Sequence, residues 1–188
     1  MQQNRGRIRG LKGLLLMIAG LLLVACSTTP PLGIHPVTPF SVDRYLGTWY
    51  EIARLDHRFE EGLTDIQARY SLEVDGSVKV LNRGIQISNG QWREAIGKAL
   101  FTGARNEGSL KVSFFGPFYG GYHVAALDPE YRWSLVVGPD RDYFWILSRT
   151  PQISAELRDQ LILRAKTLGI STDRLIWTPQ KVMDTKNP

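Results

Sequence analysis

Between Gly47 and Ser148 the chain is cut into short segments of one kind. The clearest runs from Ile66 to Leu72, where Ile66, Ala68, Tyr70 and Leu72 share one face and Gln67, Arg69 and Ser71 the other. A period of two marks a strand with one buried face. Asp75-Gly76 follows, and Asn89-Gly90 comes one strand later. Both dipeptides accept positive φ and so favour two-residue hairpin turns. Further strands are expected at Trp49–Arg54, Val78–Ile87, Trp92–Phe101, Leu110–Phe114, Tyr122–Leu127, Trp133–Val137 and Phe144–Ser148, which makes eight at near-regular spacing. Successive antiparallel hairpins that leave no exposed edge predict an all-β, eight-stranded up-and-down barrel. A sandwich is the competing answer, and periodicity alone leaves it open.

The period changes after Pro151. Ser154 is placed as an N-cap, and Glu156 and Asp159 lie early, where the helix dipole favours acids. Leu157, Leu161, Ala165 and Leu168 form one apolar stripe, and Gly169 offers a stop. This C-terminal helix is expected to pack on the outside of the sheet. The Phe144–Leu147 strand is apolar on both faces, so one face needs the interior and the other a cover. Ile176-Trp177 is read as a last short strand.

The N-terminus carries Arg5, Arg7, Arg9 and Lys12, then an uncharged run from Leu14 to Ala25. That is a secretory leader, too short for the roughly 20 apolar residues that span a bilayer. Its end, Leu23-Val24-Ala25-Cys26, resembles the lipobox of bacterial lipoproteins; an ordinary leader with a cysteine beside the cut is the alternative. The resemblance implies cleavage before Cys26, acylation of its thiol and amine, and a membrane anchor. Ser27, where Asp would favour inner-membrane retention, implies the outer membrane, on its periplasmic side. Residues 1–25 are thus the leader, 26–41 a Pro-rich tether and 42–188 the folded domain. The tether, Ser27 to Phe40, would reach some 40 Å at about 3.1 Å per residue.

Removing 25 of the 188 residues leaves 163, enough for one domain with a sizeable core. Four of the 23 basic residues lie in the leader, so 19 then face 18 acids. A near-neutral chain gives no reason to expect nucleic acid. With its single cysteine acylated, the domain has no disulfide, no thiol nucleophile and no thiolate metal ligand.

Asp43-Arg44-Tyr45-Leu46-Gly47-Thr48-Trp49-Tyr50-Glu51 resembles the opening motif of lipocalins, with its short 3₁₀ turn and Gly-x-Trp. Gly138-Pro139-Asp140-Arg141-Asp142-Tyr143 is similar to the second signature of that family, and Arg149 to the single arginine of the third. The resemblance covers about Val42 to Thr178. It implies that Arg149 lies across Trp49 and closes the narrow end of the barrel, a stacking worth about 0.5–2 kcal/mol. Gly47, Trp49 and Arg149 are therefore structural. With the lipobox, Ser113 to Tyr122 and Trp145 to Pro151, the chain looks like the bacterial outer-membrane, apolipoprotein D-like branch of the family.

Such a barrel holds one small ligand. Each buried methylene contributes about 0.8 kcal/mol, so a 16-carbon chain offers on the order of 12 kcal/mol before ordering costs. Micromolar binding needs about 8 kcal/mol, so an acyl chain suffices. The resemblance implies fatty acid or lysophospholipid, with a tetrapyrrole as a weaker variant. Phe114, Phe115, Phe118, Tyr119 and Tyr122 crowd one hairpin, whose turn Gly116, Pro117, Gly120 and Gly121 would shape. Tyr119 and Trp145 are expected to contact lipid or a second copy in a homodimer. Phe114, Phe118, Tyr122 and Tyr70 are further candidates, with core filling as the alternative for Phe114, Tyr122 and Trp145. His35, His57 and His123 have no spacing that suggests a metal, and no cofactor is expected. Asp140, Arg141 and Asp142 are read as holding their turn by local hydrogen bonds, with an acidic site as the alternative. Two other classes stay open: an enzyme of this fold acting on a lipophilic substrate, and a structural lipoprotein with an envelope partner.

Overall fold

Eight strands close on themselves in the computed structural model, which describes residues 27–181. They are β1 Gly47–Arg54, β2 Leu63–Leu72, β3 Val78–Gln86, β4 Trp92–Phe101, β5 Ser109–Phe115, β6 Phe118–Leu127, β7 Trp133–Val137 and β8 Phe144–Ser148. Each pairs antiparallel with the next, and β8 returns to β1. The barrel, not the sandwich, is the fold. Cys26 and the leader lie outside the described residues.

The turns differ from the two-residue hairpins expected. Glu73 N–H donates to Ser77 O and Gly76 N–H to Glu73 O, while Gly90 N–H reaches back to Gln86 O. Gly76 and Gly90 have φ of +79° and +70°, but neither Asp75 nor Asn89 is at positive φ. A two-residue type I′ turn needs both positions there; with one, the chain uses a longer turn ending in a left-handed glycine. The β5–β6 turn is shorter than expected. Only Gly116-Pro117 separates the strands, and Gly120 and Gly121 sit inside β6 opposite Val112 and Lys111.

Two apolar layers result, one on each side of the β7–β8–β1 wall. Outside, helix α2 (Ala155–Thr167) presents buried Leu161 and Ala165 to Ile52, Ala53, Leu55, Leu135, Val137, Phe144 and Ile146. Its cap is the expected one, with Ser154 Oγ accepting from Leu157 N–H at 3.2 Å. Inside, Val136 and Leu147 join Trp49, Tyr70, Val80 and Leu110. A strand apolar on both faces is what this double coverage requires.

Residues 27–41, expected to hang free as part of the tether, do not. Gly121 N–H donates to Ser27 O at 3.0 Å, Val37 N–H to Val124 O at 2.8 Å, and Phe40 N–H to Asn106 O at 2.8 Å. Ile34 and Phe40 are buried. Arg141 clamps the segment from the β7–β8 loop, donating to Leu32 O at 2.6 Å. Among the described residues, the packed chain therefore reaches back to Ser27, ahead of the Val42 start expected. Ile34, Val37 and Phe40 recur every three residues, and their burial outweighs the extended freedom that prolines suggest.

A C-terminal strap closes the seam between β1 and β2. These strands pair only from Gly47–Tyr70 to Tyr50–Gln67. Beyond that, β9 (Ile176–Trp177) pairs with Ala53 and Arg54. The Gln180 amide then donates to Glu51 O and Ile66 O at 2.8 and 2.9 Å.

Candidate functional site

One end of the barrel is shut. Gly47, at φ +92°, lets the chain turn from the short helix α1 (Val42–Tyr45) into β1; a Cβ there would be strained and would meet Arg149 Nη1 at 3.4 Å. The turn lays Trp49 into the interior, fully buried, with Nε1 donating to Tyr45 O at 2.8 Å. The Arg149 guanidinium carbon lies 3.9 Å from the Trp49 ring centroid. Its nitrogens donate to Thr48 O at 2.9 Å and Arg44 O at 2.7 Å. The loop of the second signature holds itself as expected, with Asp142 N–H donating to Asp140 Oδ1.

Three phenols cap this floor. Tyr122 Oη lies 2.8 Å from Tyr45 Oη and 2.9 Å from Tyr70 Oη, and Tyr45 Oη also meets Ser134 Oγ at 3.1 Å. Burial pushes Tyr45 up to about 12 and raises Tyr70 and Tyr122 as well, so all three stay neutral. The space left among Phe40, Leu46, Val78 and these rings is about 20 Å³. That holds about one water and no alkyl chain.

Up the wall the lumen-facing residues shrink. Tyr70 pairs with Val80 and Val80 with Gly97; two residues on, Ala68 pairs with Asn82 and Asn82 with Ala95; further on, Gly84 pairs with Arg93. Alternation gives all of these the inward parity of Tyr70 and Val80. Ala95 is exposed although it faces inward, as an open lumen demands. Asn82 Oδ1 is buried with no protein partner. Phe114 lies over Gly97, where a Cβ would come within 2.9 Å of its ring.

At the mouth the β1 and β8 walls carry a buried polar cluster. Arg54 Nη1 donates to Glu51 Oε1 at 2.8 Å, and Thr178 Oγ1 donates to the same oxygen. Trp145 Nε1 donates to Glu60 Oε2 at 3.1 Å, and His57 Nε2 lies 3.2 Å from that oxygen. One guanidinium faces two carboxyls. Burial, then the charge of Glu51, raise Glu60 well above the usual carboxylate range, so it tends to keep its proton. Burial, then Arg54, push His57 down to about 4, so it is neutral. His57 stacks on Phe59 at 4.1 Å and lies 5.0 Å from Trp145. Arg93 holds the inward parity on the opposite wall, since β4 is four strands from β8.

The candidate residues separate accordingly. Trp145 faces the lumen at the mouth, Phe114 lies in the upper lumen, and Phe118 has the same parity as Tyr122 at the rim. Tyr70 and Tyr122 form the floor. Tyr119 lies an odd step from Tyr122 and so outside the lumen, where Lys111 Nζ lies 5.0 Å from its ring; of its two expected contacts, this position suits a second copy rather than a lumenal lipid. Sequence reasoning missed Glu51, Arg54, His57 and Glu60. The signal was there for Glu51, a charge two residues beyond buried Trp49 and so on the same face. Among the described residues, no group of three His, Cys, Asp or Glu is arranged to hold a metal.

A family model described as a lipocalin-like domain matches residues 40–180. The outer membrane lipoprotein Blc of Escherichia coli K12 is 56% identical over 163 residues, covering 86% of this chain and 92% of its own. Mouse apolipoprotein D is 30% identical over 178 residues, covering 87% and 91%. Among solved structures, insecticyanin from the tobacco hornworm superposes with a TM-score of 0.66 at 20% identity, covering 81% of this chain and 86% of its own.

Proposed function

The chain belongs to the lipocalin family, and from that premise we propose that it is a lipid-anchored carrier of single-chain lipids at the outer membrane. The ligand is a fatty acid or lysophospholipid, held for storage or transport in envelope maintenance. One observation carries this reading: lumen-facing Ala68, Asn82, Gly84 and Ala95 stand above a closed aromatic floor. An alkyl chain entering at the mouth fills the small-walled half and stops at the tyrosines. Its head stays level with Arg93 on one wall and with Glu60 and Trp145 on the other. Arg93 supplies a cation, and Glu60, which burial biases toward its protonated form, faces it across the mouth, a pairing that suits a phosphate or carboxylate beside a hydroxyl.

Binding rather than catalysis fits the chemistry at the mouth. His57 faces Glu60 and aromatic rings, with no serine or other nucleophile among these contacts. The printed name of the Escherichia coli relative supports the outer membrane as the address, and the lipobox ending at Cys26 supports an acyl anchor on the periplasmic side.

The test is to fill the lumen. Ala68→Leu with Ala95→Leu is expected to weaken lysophospholipid binding at least about tenfold, read by Trp145 fluorescence, while thermal stability holds. Unchanged affinity in the folded double variant sinks the lumen as the site.

A further inference from the structure

We propose that the barrel rests mouth-down on the bilayer, its rim of exposed apolar side chains dipping into the lipid surface; this rests on the reading of Cys26 as an acylated anchor. Three of the four connections at the open end carry large exposed apolar residues. Phe59 stands in the β1–β2 loop, Ile87 and Trp92 flank the β3–β4 turn, and Phe115 and Phe118 flank Gly116-Pro117. Phe115 is 82% exposed, Phe118 69% and Ile87 68%. At the floor end, the connections 102–108 and 128–132 carry no large exposed apolar residue, and only Val74 stands out in the turn 73–77. Single exposed apolar residues are ordinary; a set converging from three loops on one rim is an interaction surface.

The docked N-terminal segment, residues 27–41, is a second strap, and this N-terminal strap identifies the occupant. Ser27 O is bonded to Gly121 N–H, three residues along β6 from Phe118, or roughly 10 Å of strand from the rim. From there the strap runs toward the floor, meeting Val124 at Val37 and Asn106 at Phe40. Ser27, the residue after Cys26, is therefore held toward the mouth end. A free tether would let the barrel face any way, whereas a docked strap keeps the residue next to the anchor within reach of the rim. Exposed Arg58 and Arg93 at this end stand beside exposed Asp56, Glu61, Glu94 and Asp140, with Asp142 paired to Arg174, so no cationic patch draws this end to anionic headgroups and the contact is apolar. A rim of Phe, Ile and Trp suits the boundary between headgroups and acyl chains.

The test uses the full, processed lipoprotein in phosphatidylethanolamine–phosphatidylglycerol vesicles with brominated acyl chains. With Cys26 acylated, a new cysteine is the one free thiol for a fluorophore, placed by Phe115→Cys at the rim or Arg105→Cys at the floor. Emission at 115 is expected to be quenched by bromine and emission at 105 not. Equal response at both, or none at 115, overturns the posture. Energy transfer between position-115 labels on different copies without bromine quenching overturns it in favour of a dimer contact. A chain that does not float with vesicles overturns the anchor and this proposal with it; a floating chain unquenched at 115 overturns the posture alone. Ile87→Asp with Phe115→Asp is also expected to slow lysophospholipid uptake from vesicles about tenfold, with binding of monomeric lipid unchanged. Unchanged uptake counts against the rim.

Discussion

At the floor of the barrel each large polar side chain has its partners: the Trp49 indole donates to Tyr45 O, Arg149 donates to two nearby carbonyls, and three phenols bond one another. At the mouth, two carboxyls share one buried guanidinium, His57 is held neutral beside Glu60, and Asn82 Oδ1 has no protein partner. The same strands build both ends. Side chains large enough to satisfy one another fill the floor and leave nothing for a ligand to do. Small residues and strained charges at the mouth forgo that stability and leave groups that a ligand can satisfy. Rigidity and binding are thus separated by only five residues along β1, from Trp49 to Arg54.

The largest test of the division is Trp49→Ala. It should cost about 3–5 kcal/mol in denaturant unfolding, because a fully buried indole leaves a cavity that the barrel cannot collapse. Lipid affinity of the folded fraction should hold; a large loss would mean that the floor shapes the site after all.

Acid should act at the mouth through His57 and beneath the N-terminal segment through His123, whose Nδ1 lies 3.0 Å from Ser109 Oγ. Burial pushes His57 and His123 down from 6.5 to about 4. The unfolded chain binds these protons first, so both histidines favour folding above pH 6.5 and oppose it as pH falls toward 4. Between pH 7 and 5 each should cost up to about 2 kcal/mol. Raised Glu60 acts in the opposite sense: its retained proton favours folding at low pH, and that advantage is lost as pH rises through its folded value. His57→Gln and His123→Gln should each shrink the difference in urea midpoint between pH 7 and pH 5. An unchanged difference in both would place acid sensitivity elsewhere.

The smallest effect contrasts two aromatics. Tyr122→Phe leaves Tyr45 and Tyr70 each short of a partner and should cost about 1–2 kcal/mol with lipid affinity kept. Trp145→Phe, which removes the donor to Glu60, should do the reverse: a smaller shift in Tm and a measurable change in affinity. Equal stability loss from both variants would erase the distinction between the two ends.

Much of this was legible from residue order. Alternation located every strand, and the Phe144–Leu147 run, apolar on both faces, foretold the helix cover. Turn lengths were misread because Asp-Gly and Asn-Gly also suit turns with a single left-handed residue. The strap was misread because four prolines drew attention from Ile34, Val37 and Phe40, whose spacing matters only against a surface the sequence does not display. The side on which Tyr119 stands was hidden for a related reason: a crowd of aromatics says nothing about parity until one member is anchored, as Tyr122 is by Tyr45 and Tyr70. The mouth cluster was least visible, since Glu51, Arg54, His57 and Glu60 are brought together by a bulge in β1 and a loop.

Gln180 gives the molecule an order of events. Its amide holds Glu51 and Ile66, 129 and 114 residues earlier in the chain. Hairpins β2 to β8 join neighbours, but the upper seam between β1 and β2 closes only when residues 178–181 dock against it. Contacts of such separation form late. The last stretch of the chain is therefore the clasp of the barrel, and the upper part of this one wall is the last to be completed.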